Sequence, residues 1–131
     1  MAGKKRINVN NKGSAFEREV CFWLRDNLDI HTKRLLGQAR EGGADIETEH
    51  FIIEVKRREK LDLYEWWGQV ERAKNNHKDK DIIPVVCFKQ NNKNQEFLIP
   101  ANLLPNVDRG YMRVSSLVFK KFARGIINGI G

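Results

Sequence analysis

Two carboxylates and a lysine occupy positions from which they could act together on a phosphate. If residues 51–56 form a strand, its side chains alternate, so Glu54 and Lys56 point to one face and the apolar residues to the other. If a two-residue loop at 49–50 joins this strand to the one before it, the antiparallel register places Asp45 directly opposite Glu54. Facing carboxylates repel each other, and a divalent cation removes the conflict. Because Mg²⁺ prefers hard oxygen ligands, the pattern predicts a metal site.

Glu17 is a third candidate carboxylate. On a helical wheel that starts at Phe16 and advances about 100° per residue, Glu17 falls inside the apolar stripe that includes Val20. An ionised glutamate that faces a core needs a partner, and either a metal or the Lys56 ammonium could be that partner. Glu17 could also pair with Ser14 in a helix-capping box, with the helix beginning at Ser14.

Each of these residues also has a simpler interpretation. Asp45 follows two glycines and could be a turn residue. Glu54 and Lys56 could form a solvated ion pair on a strand face. Because all the simpler interpretations would have to hold at once in one region, a shared site explains the pattern better.

The spacing of apolar residues predicts an α/β fold that would position these side chains. Its elements follow the order α-β-β-β-α-β-β-α, a mixed β-sheet flanked by helices. The predicted helices cover 14–29, 62–76 and the region after residue 115 or 116, and the strands cover 31–38, 44–48, 51–56, 82–89 and 96–99. Asp62 is the predicted cap of the second helix.

The composition narrows the classes of function. The chain has 131 residues, and 24 Lys and Arg oppose 17 Asp and Glu, a net charge of +7. This length suits one domain, and the basic excess favours nucleic acid or an anionic surface as a partner. No apolar stretch approaches the roughly 20 residues that span a bilayer, and no signal peptide is recognisable. We therefore predict a cytoplasmic protein, associated with nucleoid or viral DNA, that has no membrane partner.

Three further expectations concern the organisation of the chain. Residues 1–12 are predicted to be a flexible basic arm, and residues 13–131 a single domain. Cys21 and Cys87 are expected to be free, buried thiols of a reducing compartment. Trp66 and Trp67 are expected in the core or at an interface rather than stacked on bases.

A family resemblance rests on the residues described above. Asp45, eight intervening residues and then Glu54-Val55-Lys56 resemble the D-x(n)-E-x-K signature of the PD-(D/E)XK nuclease superfamily. The sequence Lys-Gly-Ser-Ala-Phe-Glu-Arg-Glu at 12–19 resembles the start of archaeal-type Holliday junction resolvases. The strands at 83–89 and 96–99 are also similar, and the resemblance covers about residues 12–100.

The resemblance implies a restriction-endonuclease-like fold and Mg²⁺-dependent hydrolysis of DNA phosphodiesters, with Mn²⁺ as a substitute. It implies that Asp45, Glu54 and the Val55 carbonyl bind the metal. Glu17 would complete the site directly or through water, and Lys56 would orient the attacking water. The domain at 13–131 would then be a nuclease domain.

The resemblance also bears on accessory residues and partners. Some relatives place a glutamine after the E-x-K strand, which makes Gln69 an accessory candidate beside Ser14. A four-way junction has paired scissile positions, so a homodimer acting on branched or four-way-junction DNA is expected. The basic residues expected to bind backbone phosphates are Lys12, Lys33, Arg34, Arg40, Arg57, Arg58 and Lys60.

Three alternatives to a junction resolvase stay open. One is a repair or recombination nuclease of the same fold that acts on flaps or ends. Another is a nucleic-acid-binding module without catalytic activity. The third is a protein-interaction domain with an incidental basic surface.

Overall fold

The computed structural model describes residues 2–36 and 43–129, with side chains from residue 13 onward. Within these ranges the helices are α1 Ala2–Leu28, α2 Leu63–Asn75 and α3 Ser116–Ile127. The strands are β1 Lys33–Arg34, β2 Ile46–Glu47, β3 Phe51–Arg58, β4 Ile83–Gln90, β5 Glu96–Pro100 and β6 Tyr111–Ser115. The short 3-10 helix Ala101–Leu103 lies between β5 and β6.

The strands form one mixed sheet, which confirms the predicted fold class. They lie in chain order from β1 to β6, and all neighbours are antiparallel except β3 and β4. This parallel pair is connected through helix α2. Strand β6 was not predicted, because its short sequence, Tyr-Met-Arg-Val-Ser, is partly exposed and has no strong apolar pattern. It becomes a strand by pairing with β5 at the edge of the sheet.

Helix α1 begins at Ala2, so the predicted start at Ser14 is wrong. Ser14 and Glu17 lie inside the helix, where Ser14 is not an N-cap, and the proposed capping box is not formed. No proline interrupts residues 2–12, and the helix continues through Gly13 at a cost of about 0.5–1 kcal/mol relative to alanine. Residues 2–12 are therefore helical, and the division into an arm and a domain at residue 13 stays a prediction.

The sheet separates two apolar clusters. Helices α1 and α3 cover one face, where Phe16 and Val20 pack with Ile53 and other buried residues of the sheet. The rings of Phe97 and Phe119 stack there with their centroids 3.9 Å apart. Helix α2 covers the opposite face.

Helix α2 packs firmly against the second face of the sheet. Its buried residues are Trp66, Trp67, Val70 and Ala73. The expectation that both tryptophans lie in the core or at an interface is confirmed, and they lie in the core. The helix begins as predicted after Asp62, whose side chain accepts a hydrogen bond from the Glu65 N–H. Among the helices of the described residues, none is long and apolar enough to cross a membrane.

Both cysteines are free thiols. Cys87 in β4 is fully buried, and burial raises the pKa of its thiol well above the usual value. The protonated thiol is a poor nucleophile, so Cys87 acts as a packing residue. Cys21 on α1 is only half-buried.

Candidate active site

Strand β3 carries Glu54 and Lys56 on the face that helix α2 covers. Phe51, Ile53 and Val55 belong to the cluster under α1 and α3, so the alternating residues of the strand point the other way. Glu54 is 7% exposed. Its Oε1 lies 3.5 Å from the Lys56 Nζ, so carboxylate and ammonium form an ion pair within the strand.

Strand β2 pairs with β3 in the predicted register, but Asp45 departs from it. Ile46 pairs with Ile53, and the Thr48 N–H donates to the Phe51 carbonyl across the loop at 49–50. The Asp45 N–H donates to the carbonyl of Ile53 at 3.1 Å, so the prediction that Asp45 pairs directly with Glu54 is wrong. Two residues thus oppose Ile53, which is the arrangement of a β-bulge, a feature that redirects a side chain.

The redirected Asp45 side chain contacts the backbone of β3. Asp45 is fully buried, and its Oδ2 accepts a hydrogen bond of 2.7 Å from the Val55 N–H. Its carbonyl accepts a second bond from the Leu35 N–H at 2.9 Å, which ties the segment to the region after β1. The charge-assisted bond to Val55 holds the carboxylate beside the peptide that lies between Glu54 and Lys56.

Glu17 has a different partner from those expected. Its carboxylate is nearly buried, and Oε2 forms an ion pair with the Arg34 Nη2 at 2.9 Å. Among the described residues, no three Asp, Glu, His or Cys side chains are grouped so that they could hold a metal ion. Arg34 thus engages Glu17 and the Val55 N–H engages Asp45, and a shared metal-binding role of Glu17, Asp45 and Glu54 stays a prediction.

A smaller donor set still suits Mg²⁺. This ion takes one or two protein carboxylates and retains several waters, so a site of three protein carboxylates is not required. Asp45, Glu54 and the carbonyl of Val55 are hard oxygen donors that belong to adjacent backbone segments. By the chemistry of its donors this set fits the ion.

A groove of about 300 Å³ opens beside Glu54. Helix α2 forms one wall of it, and the lining residues are Gly43, Glu54, Gln69, Arg72, Ala73 and Asn76. The structure thus places the candidate Gln69 next to Glu54, whereas Ser14 lies within α1. Arg72 and Asn76 were missed, although their spacing from Gln69 along α2 is a signal that could have identified them.

The predicted phosphate-binding residues occupy several environments. Lys33, Arg58 and Lys60 are exposed, Arg57 is half-buried, and Arg34 is bound to Glu17. The side chain of Lys12 and the whole of Arg40 lie outside the described residues. Lys89, which was not predicted to bind phosphate, lies opposite Arg57 in the register of the parallel strands β3 and β4, near their carboxyl ends.

Two comparisons with known proteins agree with this geometry. The family model described as phage putative PDDEXK endonuclease matches residues 8–122. The structure is similar to that of Hjc, a Holliday junction resolvase from the archaeal hyperthermophile Archaeoglobus fulgidus, with a TM-score of 0.52 and 21% sequence identity. The similarity covers 82% of this chain and 87% of that one, and it supports the restriction-endonuclease-like fold. No curated protein shows a significant match to the sequence.

Proposed function

Because the chain belongs to the phage putative PDDEXK endonuclease family, we propose that it is a Mg²⁺-dependent nuclease that cuts branched DNA, with the four-way junction as its substrate. The observation that carries the proposal is the hydrogen bond from the Val55 N–H to Asp45. It brings the carboxylate of Asp45 to the strand that bears Glu54 and Lys56, as the D-x(n)-E-x-K signature requires.

Each site residue has a proposed role in phosphodiester hydrolysis. Asp45, Glu54 and the Val55 carbonyl would hold Mg²⁺ or, as a substitute, Mn²⁺. When bound, the metal supplies an activated water and neutralises phosphate oxygens. Lys56 has three N–H donors, so it can contact Glu54 and still orient the attacking water or stabilise charge on the phosphate.

Glu17 acts in this proposal through Arg34. The ion pair fixes the direction of the guanidinium, whose remaining donors can bind a backbone phosphate. Arg34 therefore serves as an oriented phosphate ligand, while Glu17 positions it. The exposed cations Lys33, Arg58 and Lys60 add contacts that do not depend on base sequence.

We propose a homodimer, because two copies related by twofold symmetry would present two sites to the paired scissile strands of a junction. The fold neighbour Hjc is a Holliday junction resolvase, which supports this choice of substrate at the level of fold. A DNA-cutting enzyme of this kind would work in the cytoplasm, beside nucleoid or viral DNA.

A panel of labelled substrates tests the proposal. Four-way junctions, flaps, nicked duplexes, single strands and blunt duplexes are incubated with Mg²⁺, with Mn²⁺ or with EDTA. We expect the junction to be cut in either metal and to stay intact in EDTA or with the D45N variant. The matched control is D26N, which changes an exposed aspartate of α1 in the same way and should cut like the native protein.

Three outcomes would contradict this proposal. Preferential cutting of flaps or ends would replace the resolvase with a repair nuclease of the same fold. Binding that is equal in EDTA, without cutting under any condition, would indicate a binding module. Equal cutting by D45N and the native protein would show that the candidate site is not the active site.

A further inference from the structure

The groove beside Glu54 has a wall that the proposed mechanism leaves unused. Helix α2 contributes Gln69 and Arg72 to it, and Asn76, the C-cap residue of the helix, also lines it. Their spacings of three and four residues place them on one face of the helix. A polar stripe on α2 therefore borders the groove into which Glu54 points.

Among the described residues that line this groove, Arg72 is the cation. It is exposed, and its guanidinium makes no hydrogen bond or ion pair with any described residue. Lys74 shows the contrast: its Nζ donates to the carbonyls of Lys80 and Ile82 and fastens the end of α2 to the start of β4. Arg72 makes no comparable hydrogen bond to the described residues that would connect α2 to another element.

The Arg72 side chain lies against a glycine of the preceding turn. A Cβ built on Gly68 would lie 3.4 Å from the Arg72 Nη1, so the guanidinium extends back along α2 over the preceding turn. The Arg72 guanidinium therefore lies over the turn of α2 that carries Gly68 and Gln69.

The chemistry of the groove points to a phosphate ligand. A guanidinium presents a planar fork of N–H donors that binds two phosphate oxygens in parallel. Glu54 on the opposite side is negatively charged, so a phosphate can enter only where cations offset that charge. Arg72 and the metal proposed at Glu54 would supply positive charge from two sides.

We propose that Arg72 binds a backbone phosphate of the DNA strand that occupies this groove, next to the phosphate that is cut. Helix α2 would then set the position of the DNA strand relative to Glu54. This inference rests on the proposed nuclease function and adds to it a substrate-binding residue.

A rival explanation is that Arg72 only offsets the partial negative charge at the end of its helix. It lies in the last turn of α2, where cations are favourable. Arg25 provides a matched control, because it is an exposed arginine in the last turn of α1. The R25A variant loses the same helix interaction, and also the contact of Arg25 with the ring of Phe22, without touching the groove.

The experiment compares R72A, R72K and R25A with the native protein. Cleavage of the labelled junction gives kcat and KM, and binding is measured against salt concentration in an E54Q background that does not cut. We expect R72A to weaken binding about tenfold and to lower the salt slope by about one. The KM should rise more than kcat falls, R72K should recover part of the loss, and R25A should match the native protein.

The outcomes separate this inference from the function on which it rests. If the native protein cuts and R72A matches R25A in KM and salt slope, the inference is wrong while the nuclease function stands. A native protein that neither binds nor cuts DNA overturns both. A folding defect in R72A is recognised by its unfolding midpoint. In that case the folded R72K variant decides the question. A phosphate contact would be contradicted if R72K lost all binding, and equally if R72K lost no binding.

Discussion

The carboxylate of Asp45 and the backbone N–H of Val55 are joined by a hydrogen bond of 2.7 Å. Val55 lies between Glu54 and Lys56, so this bond fixes the residues of the candidate site relative to one another. It exists because Asp45 and Ile46 both oppose Ile53, which turns the aspartate toward the next strand. A local irregularity of the sheet therefore assembles the site.

The first prediction separates the charge of Asp45 from its hydrogen bond. The D45N side chain keeps an oxygen that can accept from the Val55 N–H but loses the negative charge for a metal. Because a catalytic metal stabilises the transition state by several kcal/mol, we expect cleavage to fall at least about 100-fold. The D45N variant should lose less stability than D45A, as measured by urea unfolding.

The D45A variant is the companion to D45N. It leaves the buried Val55 N–H without its acceptor, so we expect a loss of about 1–3 kcal/mol in the free energy of unfolding. If both variants were equally stable, the bond would contribute no stability.

The second prediction concerns the ion pair of Glu17 and Arg34. Both side chains are largely buried, so E17Q and R34Q should each lower the free energy of unfolding by about 1–2 kcal/mol. The double variant should lose less than the sum, because the second change finds the pair already broken. A double-mutant cycle in urea measures this difference, and strictly additive losses would show that the two residues do not interact in solution.

The third prediction is a dependence of stability on acid pH. Hydrogen bonds from Arg113 lower the pKa of Glu96 below its usual value of 4.5, since they favour the charged carboxylate. The contribution of the pair is therefore complete above pH 4.5 and is lost as the pH falls through the lower pKa of the folded protein. Urea unfolding from neutral pH to about pH 3 should show a shallower loss for E96Q than for the native protein.

The exposed Glu49 provides the control for this experiment. The E49Q variant should retain the acid sensitivity of the native protein. If the free energy of unfolding of E96Q fell with pH in parallel with that of E49Q, the ion pair of Glu96 and Arg113 would not contribute to stability in this pH range.

The fourth prediction compares two glycines. Gly68 lies within α2, and its added Cβ meets only the end of the Arg72 side chain at 3.4 Å, so G68A should stabilise the protein by about 0.5–1 kcal/mol. Gly110 has a φ of +96°, which strains any L side chain, and G110A should destabilise it by about 1–2 kcal/mol. Urea midpoints measure both, and shifts of the same sign would contradict the argument.

Local rules predicted the part of the site that depends on neighbours in sequence. The alternation of the strand placed Glu54 and Lys56 on one face, and the short loop at 49–50 set the register of Ile46 with Ile53. The helical wheel likewise predicted that Glu17 is buried. These features depend on a period or a loop length, which the sequence displays directly.

Features that depend on distant contacts were not predicted. Arg34 became the partner of Glu17 because β1 joins the sheet beside β2, which no local pattern reveals. The start of α1 at Ala2 was missed because the spacing of apolar residues begins only near Phe16. The role of α2 as a groove wall with Arg72 depends on how the helix packs across the sheet.

The agreement between the spatial order and the chain order of the strands has a consequence for folding. Each strand pairs with the strands directly before and after it in the chain. Few long loops must therefore close before the strands of the sheet can pair during folding. Strand β3 obtains both neighbours in this way, from β2 across a tight loop and from β4 through α2. We expect its amides to exchange with solvent among the slowest in the protein, and the site strand to form early during folding.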